Sequence, residues 1–345
     1  EDLPVSTTRD AAGTELLIAV ELSGHVITLR VWTARAGHIR LYLLDSDHPD
    51  NAQADRAITA QLYGGDSYNR IRQEILLGVG GVRLLRALGL APTVWHINEG
   101  HAAFQILERC REYCGLGLDF ESAWERVAAD TLFTTHTPVP AGHDCFEPSM
   151  VLDQFRPWLS DLRIDEARFL ALGQTGQGAG FNMTALALRG SCFQNGVSRI
   201  HGEVASRMES YAWPDIPPDE NPMGYVTNGV DVETFLGGAW VSVFDMYCGG
   251  GWRAKLRDRG FWNWLIDYIP DHVFRSAHQV HKAELLAVAR ENLEVKLRRA
   301  GQAESTIAHI TRHLDPSSLD VLLVGFARRF ATYKRATLVF RDLQR

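Results

Sequence analysis

Near the start of the chain, residues 15–21, 25–32 and 38–44 alternate apolar with polar side chains or are rich in β-formers. Successive side chains of a strand point to opposite faces, so this pattern, with turns at Ser23-Gly24 and Ala36-Gly37, predicts a β-meander over 15–45. Residues 45–55 are polar and read as a loop. The period then lengthens. Between 68 and 90, Ile71, Ile75, Val79, Val82 and Leu85 fall on one face of a helix. Gly78, Gly80 and Gly81 interrupt that helix, at about 1 kcal/mol each relative to Ala. They predict either a close approach by another backbone or a ligand, or a kink between two shorter helices.

Short apolar runs then alternate with helical periods. Strands are predicted at 93–97, 131–135, 196–200 and 225–227, with helices at 98–110, 120–129, 151–172, 181–189 and from 201 onward. Asn98 is a candidate cap for the helix that follows it. Residues 252–314 read as mostly helical, with Trp252, Phe261, Trp262 and Trp264 as packing anchors. A last Val- and Leu-rich run, 321–326, reads as a buried parallel strand. The whole is an α/β pattern of the doubly wound kind.

Candidate polar groups recur in one structural place. Glu99 and His101, His136, His201, Asn228, and the cations Arg328, Arg329, Lys334 and Arg335 each follow a predicted strand. Parallel strands put those ends on one side, where ligands bind in open α/β sheets. Cations at a helix start oppose its dipole unless an anion offsets them, so the last group reads as an anion site suited to phosphate, against the plainer reading of a solvated helix start with incidental charges. Taken singly, the others have plainer readings. His136 is a loop histidine, Glu99 and His101 suit helix capping, and Asn228-Gly229 suits a turn. His143, Asp144 and Cys145 are too close together for a usual zinc set, and no metal is expected. Gln174 to Gly180 is Gly-rich but follows no strand, and no Gly-x-Ser-x-Gly or Walker A sequence occurs.

Composition narrows the class. The chain has 345 residues, 46% of them hydrophobic, and a net charge of −7. That balance argues against nucleic-acid or membrane-surface partners. No apolar run is long enough to span a membrane, and no signal peptide opens the chain. The five cysteines have no paired spacing, which predicts reduced thiols and a cytoplasmic protein. Both ends read as cut, since the last strand would stand without a sheet of its own.

Several stretches together resemble the α-glucan (glycogen and maltodextrin) phosphorylases, in their bacterial branch. They are Leu62-Tyr-Gly-Gly-Asp66, Trp95-His-Ile-Asn-Glu-Gly-His-Ala-Ala-Phe104, Phe133-Thr-Thr-His-Thr-Pro-Val-Pro-Ala-Gly142, Phe181-Asn-Met-Thr184, Asn195-Gly-Val-Ser-Arg-Ile-His-Gly-Glu203, Val226-Thr-Asn-Gly-Val230 and Gly325-Phe-Ala-Arg-Arg-Phe-Ala-Thr-Tyr-Lys-Arg-Ala336. The resemblance implies the GT-B arrangement, two Rossmann-like domains facing a cleft. It divides the chain into a β-meander region (1–60), a first Rossmann-like domain (61–230), a helical connection (231–318) and the start of a truncated second domain (319–345).

The implied activity is transfer of a terminal glucosyl unit from an α-1,4-glucan to inorganic phosphate, giving α-glucose 1-phosphate. In that reading His136 and Asn228 hold the 6-hydroxyl of the transferred unit, and Glu99 and His101 border the sugar. Arg329 and Lys334 bind the substrate phosphate, Tyr333 lines the site, and Arg328 lies near the cofactor phosphate. The implied cofactor is pyridoxal 5'-phosphate, whose phosphate group works beside the substrate phosphate, and the parent would be a homo-oligomer. The family's cofactor lysine ends a Gly-rich segment with Met-Lys. None of Lys255, Lys282, Lys296 and Lys334 has that context, so this chain alone is expected to be inactive. Two rival readings fit the same residues. A nucleotide-sugar-dependent GT-B glucan synthase would use the same Arg-x4-Lys spacing, although its Lys-Thr-Gly-Gly start is absent. A non-catalytic glucan-binding module is the other.

Overall fold

The computed structural model describes residues 4–62, 64–139, 142–176, 178, 180–328 and 334–342. Arg329 and Tyr333, two of the candidate site residues, lie outside them. The chain divides into two compact units, Glu1–Gly229 and Val230–Arg345.

In the first unit β1 (Val5–Thr7), β2 (Leu17–Leu22), β3 (His25–Ala36) and β4 (Ile39–Asp45) form one antiparallel sheet. The long strand β3 is its centre. β2 pairs with its first half, with Leu22 opposite His25, and β4 with its second, with Ala36 opposite Ile39. Ile18, Val20, Leu22, Ile27, Leu29 and Val31 are all buried on the inner face. The β2–β3 turn uses Ser23 and Gly24, both at positive φ, as a tight two-residue hairpin requires.

A short helix, α1 (Gln53–Arg56), lies in the polar stretch. α2 (Ser67–Ala87) then runs unbroken, its first turn capped by the Asp66 carboxylate accepting from the Asn69 N–H. Gly78 and Gly80 therefore mark close packing rather than a kink, while a Cβ on Gly81 would meet nothing within 4 Å. A Cβ on Gly78 would stand 2.8 Å from the backbone N of Gln105.

β5 (Trp95–Asn98) is followed by α3 (Phe104–Gly115), α4 (Phe120–Ala128) and β6 (Thr131–Thr135). The next connection holds a small ribbon of β7 (Cys145–Phe146) against β8 (Phe181–Asn182). It also holds α5 (Pro148–Phe155), α6 (Trp158–Leu162), α7 (Glu166–Ala171) and α8 (Met183–Arg189). β9 (Phe193–Gly196), α9 (Arg199–Met208) and β10 (Gly224–Tyr225) complete the unit. β5, β6, β9 and β10 pair in that order, all parallel. Phe104, Phe155, Phe169 and Phe181 pack ring to ring beneath the connection, with centroids 4.7, 5.5 and 5.7 Å apart in turn.

Three local expectations change. The strand predicted over 196–200 ends at Gly196, because Ser198 accepts from the His201 N–H and caps α9, taking Ile200 into the helix. Asn98 caps nothing and is the last residue of β5. Asn182 pairs in β8 before capping α8, so that helix starts later than the pattern suggests.

The second unit is helical: α10 (Val232–Phe235), α11 (Gly238–Cys248), α12 (Arg259–Tyr268), α13 (Asp271–Arg299) and α14 (Glu304–Thr311). Trp252 is buried and donates from its indole to Asp245 at 2.8 Å. Phe244 and Trp262 pack edge-on against it and each other. Trp264 is not the buried anchor its spacing suggests. It is 50% exposed and stacks on Tyr268.

The predicted strand at 321–326 does not form, and Val321, Leu322, Leu323, Val324 and Phe326 are exposed. A strand exists through its ladder, and among the described residues none runs beside this one. Among the described residues, no helix is long and apolar enough to cross a membrane.

Candidate functional site

Because the second sheet is wholly parallel, β5, β6, β9 and β10 end on one side. Glu99 follows β5, His136 follows β6, the His201 turn follows β9 and Asn228 follows β10. The predicted convergence of strand ends is therefore real for these residues. The strands of His136 and Asn228 flank β9, so their loops leave the edge roughly 10 Å apart. Asn228 is exposed, and its N–H donates to the Val197 carbonyl at 3.3 Å. His201 has a structural task, since its Nδ1 accepts from the Val197 N–H at 3.2 Å and closes the turn into α9.

Glu99 sits at φ 61°, ψ −179°, a conformation costly for any residue with a side chain. The strained backbone turns its carboxylate toward the neighbouring strand end. Glu99 Oε1 accepts the backbone N–H of His136 and the hydroxyl of Thr137, the latter at 3.2 Å. The His136 ring lies alongside, with Nδ1 3.5 Å from the same oxygen, and remains about one third exposed. Glu99 thus holds the loop that presents His136.

His101 belongs to a different constellation, joined by groups that the sequence did not bring together. Arg70 Nη2 donates to Glu74 at 2.9 Å and to Asp144 at 2.7 Å, and His101 Nδ1 lies 3.1 Å from Asp144. Burial pushes the Glu74 carboxyl up to about 8, so it holds its proton at neutral pH. Hydrogen bonding to Asp144 and Glu74 pushes His101 up to about 9 despite its burial. Burial disfavours the Asp144 carboxylate, but His101, Glu74 and Arg70 outweigh it and hold the group below the usual carboxylate range. Ligand atoms of Glu74, His101 and Asp144 lie within 4.8 Å of one another, a spacing that suits a metal. Arg70 donates to both carboxylates and already supplies the positive charge there.

A second buried group was also missed. His143 Nδ1 lies 3.4 Å from Glu209 Oε1, with 3% and 1% of the side chains exposed. Burial raises the Glu209 carboxyl, and His143 partly offsets this. The Tyr211 phenol is pushed up by burial and by Glu209 beside it. In the sequence His143 drew notice only beside Asp144 and Cys145, as a set too close together for zinc, and nothing local marks Glu209.

Of the phosphate-site candidates, Arg328 is exposed on the extended tail. Lys334 leads into a 3-10 turn, Ala336–Phe340, and among the described residues of this tail no α-helix follows it.

Over its full length the chain is 40% identical to a maltodextrin phosphorylase of Thermococcus litoralis, covering 40% of that protein. It is 39% identical to a glycogen phosphorylase of Mycobacterium tuberculosis, covering 41% of it. With a glycogen phosphorylase of Aquifex aeolicus the identity is 33%, over all of this chain and 49% of the relative. The chain is related along its whole length to the glycogen and maltodextrin phosphorylases. It spans two fifths to one half of the length of these phosphorylase relatives. No family model matches it. The resemblance in the motifs is thus matched by similarity from end to end, and the relatives named are phosphorylases, not synthases.

Proposed function

We propose that the chain is a segment of an α-1,4-glucan phosphorylase of GT-B architecture, carrying the glucan side of the site on the carboxyl edge of its parallel sheet. The observation that carries this reading is the end-to-end similarity to glycogen and maltodextrin phosphorylases. The shared side of the four strand ends supports it. In the parent, a terminal glucosyl unit passes to inorganic phosphate, giving α-glucose 1-phosphate with its configuration kept. His136 and Asn228 bind the 6-hydroxyl of that unit, Glu99 fixes the His136 loop, and Arg329 and Lys334 bind the phosphate. Truncating either cation to Ala in the parent removes a charge-assisted contact to a developing charge and lowers turnover.

The implied cofactor, pyridoxal 5'-phosphate, would supply a second phosphate for proton transfer. Residues here do not fit its attachment. Lys282 donates to the carbonyls of Leu319 and Val321, so its amine is already engaged. Lys255 lies over the Phe261 ring, and Lys296 is exposed near the end of α13. No step through the cofactor is assigned to this chain.

The purified chain, incubated with pyridoxal phosphate, maltoheptaose and phosphate, should show no bound-cofactor absorbance and no glucose 1-phosphate. Stoichiometric cofactor and measurable phosphorolysis would place the catalytic groups among the four lysines present and overturn this division of the site.

A further inference from the structure

We propose that the buried His143–Glu209 pair is a positioning device for His136, acting through the loop that runs between the two histidines; its role toward sugar rests on the glucan reading above. The near end of that loop is held by Glu99, which accepts from the His136 N–H and the Thr137 hydroxyl. The far end is held by Glu209, whose carboxylate faces the His143 ring. The Gly142 N–H donates to the Val139 carbonyl at 3.1 Å, and the Thr137 methyl occupies the space a Cβ on Gly142 would need. Glu209, His143, Gly142, Thr137 and His136 thus form a continuous line of bonds and contacts.

The pair also ties the end of β6 to the neighbouring strands. Glu209 is the C-terminal cap residue of α9, and α9 starts directly after β9. The turn between β9 and α9 receives the Asn228 N–H at Val197. A displacement of His143 would therefore move His136 relative to Asn228, the partner it needs on the sugar. Both side chains lie away from solvent. Glu209 faces His143 on one side and lies beside the Tyr211 hydroxyl on the other, so three buried polar groups gather there. Such groups are costly to bury unless they hold one another in place.

The test uses the full chain, isotope-labelled for NMR. In Glu209→Gln and in His143→Gln, the His136 ring and amide signals and the Thr137 amide should move, while amides of β2 and β3 stay in place. The maltoheptaose dissociation constant should rise about tenfold, the equivalent of losing about 1.4 kcal/mol of contact. Glu209→Asp, which keeps a carboxylate, should restore part of both effects. Should the Gln variants unfold, Tyr211→Phe removes only the hydroxyl beside Glu209 and gives the same readout. His136 signals unchanged in every folded variant would overturn the proposal. A wild-type chain that does not bind maltoheptaose would overturn the glucan reading instead, and the His136 signals would still decide the coupling.

Discussion

The Glu99 carboxylate accepts the backbone N–H of His136, joining the ends of the adjacent parallel strands β5 and β6. The contact is made from a strained backbone, so its removal has two opposed effects. Glu99→Ala loses the acceptor and leaves a part-buried N–H unpaired, while Glu99→Gly also relieves the strain at φ 61°. Glu99→Ala should destabilise the first unit by about 1–3 kcal/mol in urea unfolding. Glu99→Gln, which keeps an acceptor oxygen, should lose less. Equal stability of wild type and Glu99→Ala would show that the contact does not hold the loop.

The Arg70, Glu74, His101 and Asp144 group makes stability depend on pH. Glu74 rises from 4.5 to about 8 and His101 from 6.5 to about 9 on folding, so the native state binds more protons across that range. Their contribution is whole below the unfolded values and is lost as pH rises through 8 and 9. Asp144 has the opposite sign. It is depressed from 3.8, so its contribution is lost as pH falls below that value. The unfolding midpoint should therefore decline steadily from mildly acidic to alkaline pH. Glu74→Gln, a mimic of the protonated carboxyl, should flatten the part below about 8. An identical pH profile in the variant would contradict the assignment of the proton to Glu74.

The glycines of α2 should separate cleanly. Gly78 faces the backbone of Gln105, so Gly78→Ala forces α2 and α3 apart and should cost roughly 1–3 kcal/mol. Nothing lies within 4 Å of a Cβ at Gly81, where Ala should stabilise by up to about 1 kcal/mol through helix propensity. Thermal unfolding of the two variants checks both signs.

Much of the fold was legible where a local pattern coincided with burial. β6 was read at its observed bounds because Thr131–Thr135 is a compact β-rich run inside the sheet. Residues 196–200 misled because Val197 and Ile200 look strand-like, while the deciding event is a single Ser198 cap. The 321–326 run has strand composition, but composition cannot supply a neighbouring strand. The position of Glu99, His136 and Asn228 beyond strand ends was legible because each follows a short β-rich run. Glu74 and Glu209 escaped, and Asp144 was weighed only beside His143 and Cys145, because their partners are distant in sequence and meet only through packing.

The proposed glucan side of the site, on the carboxyl edge of the parallel sheet, can be located by titrating the isotope-labelled chain with maltoheptaose and following every amide. Saturable shifts should cluster at His136, Thr137, Ser198 and Asn228, and weaken when the terminal glucose lacks its 6-hydroxyl. Shifts confined to other surfaces of the first unit, or equal affinity for the 6-deoxy sugar, would contradict this placement.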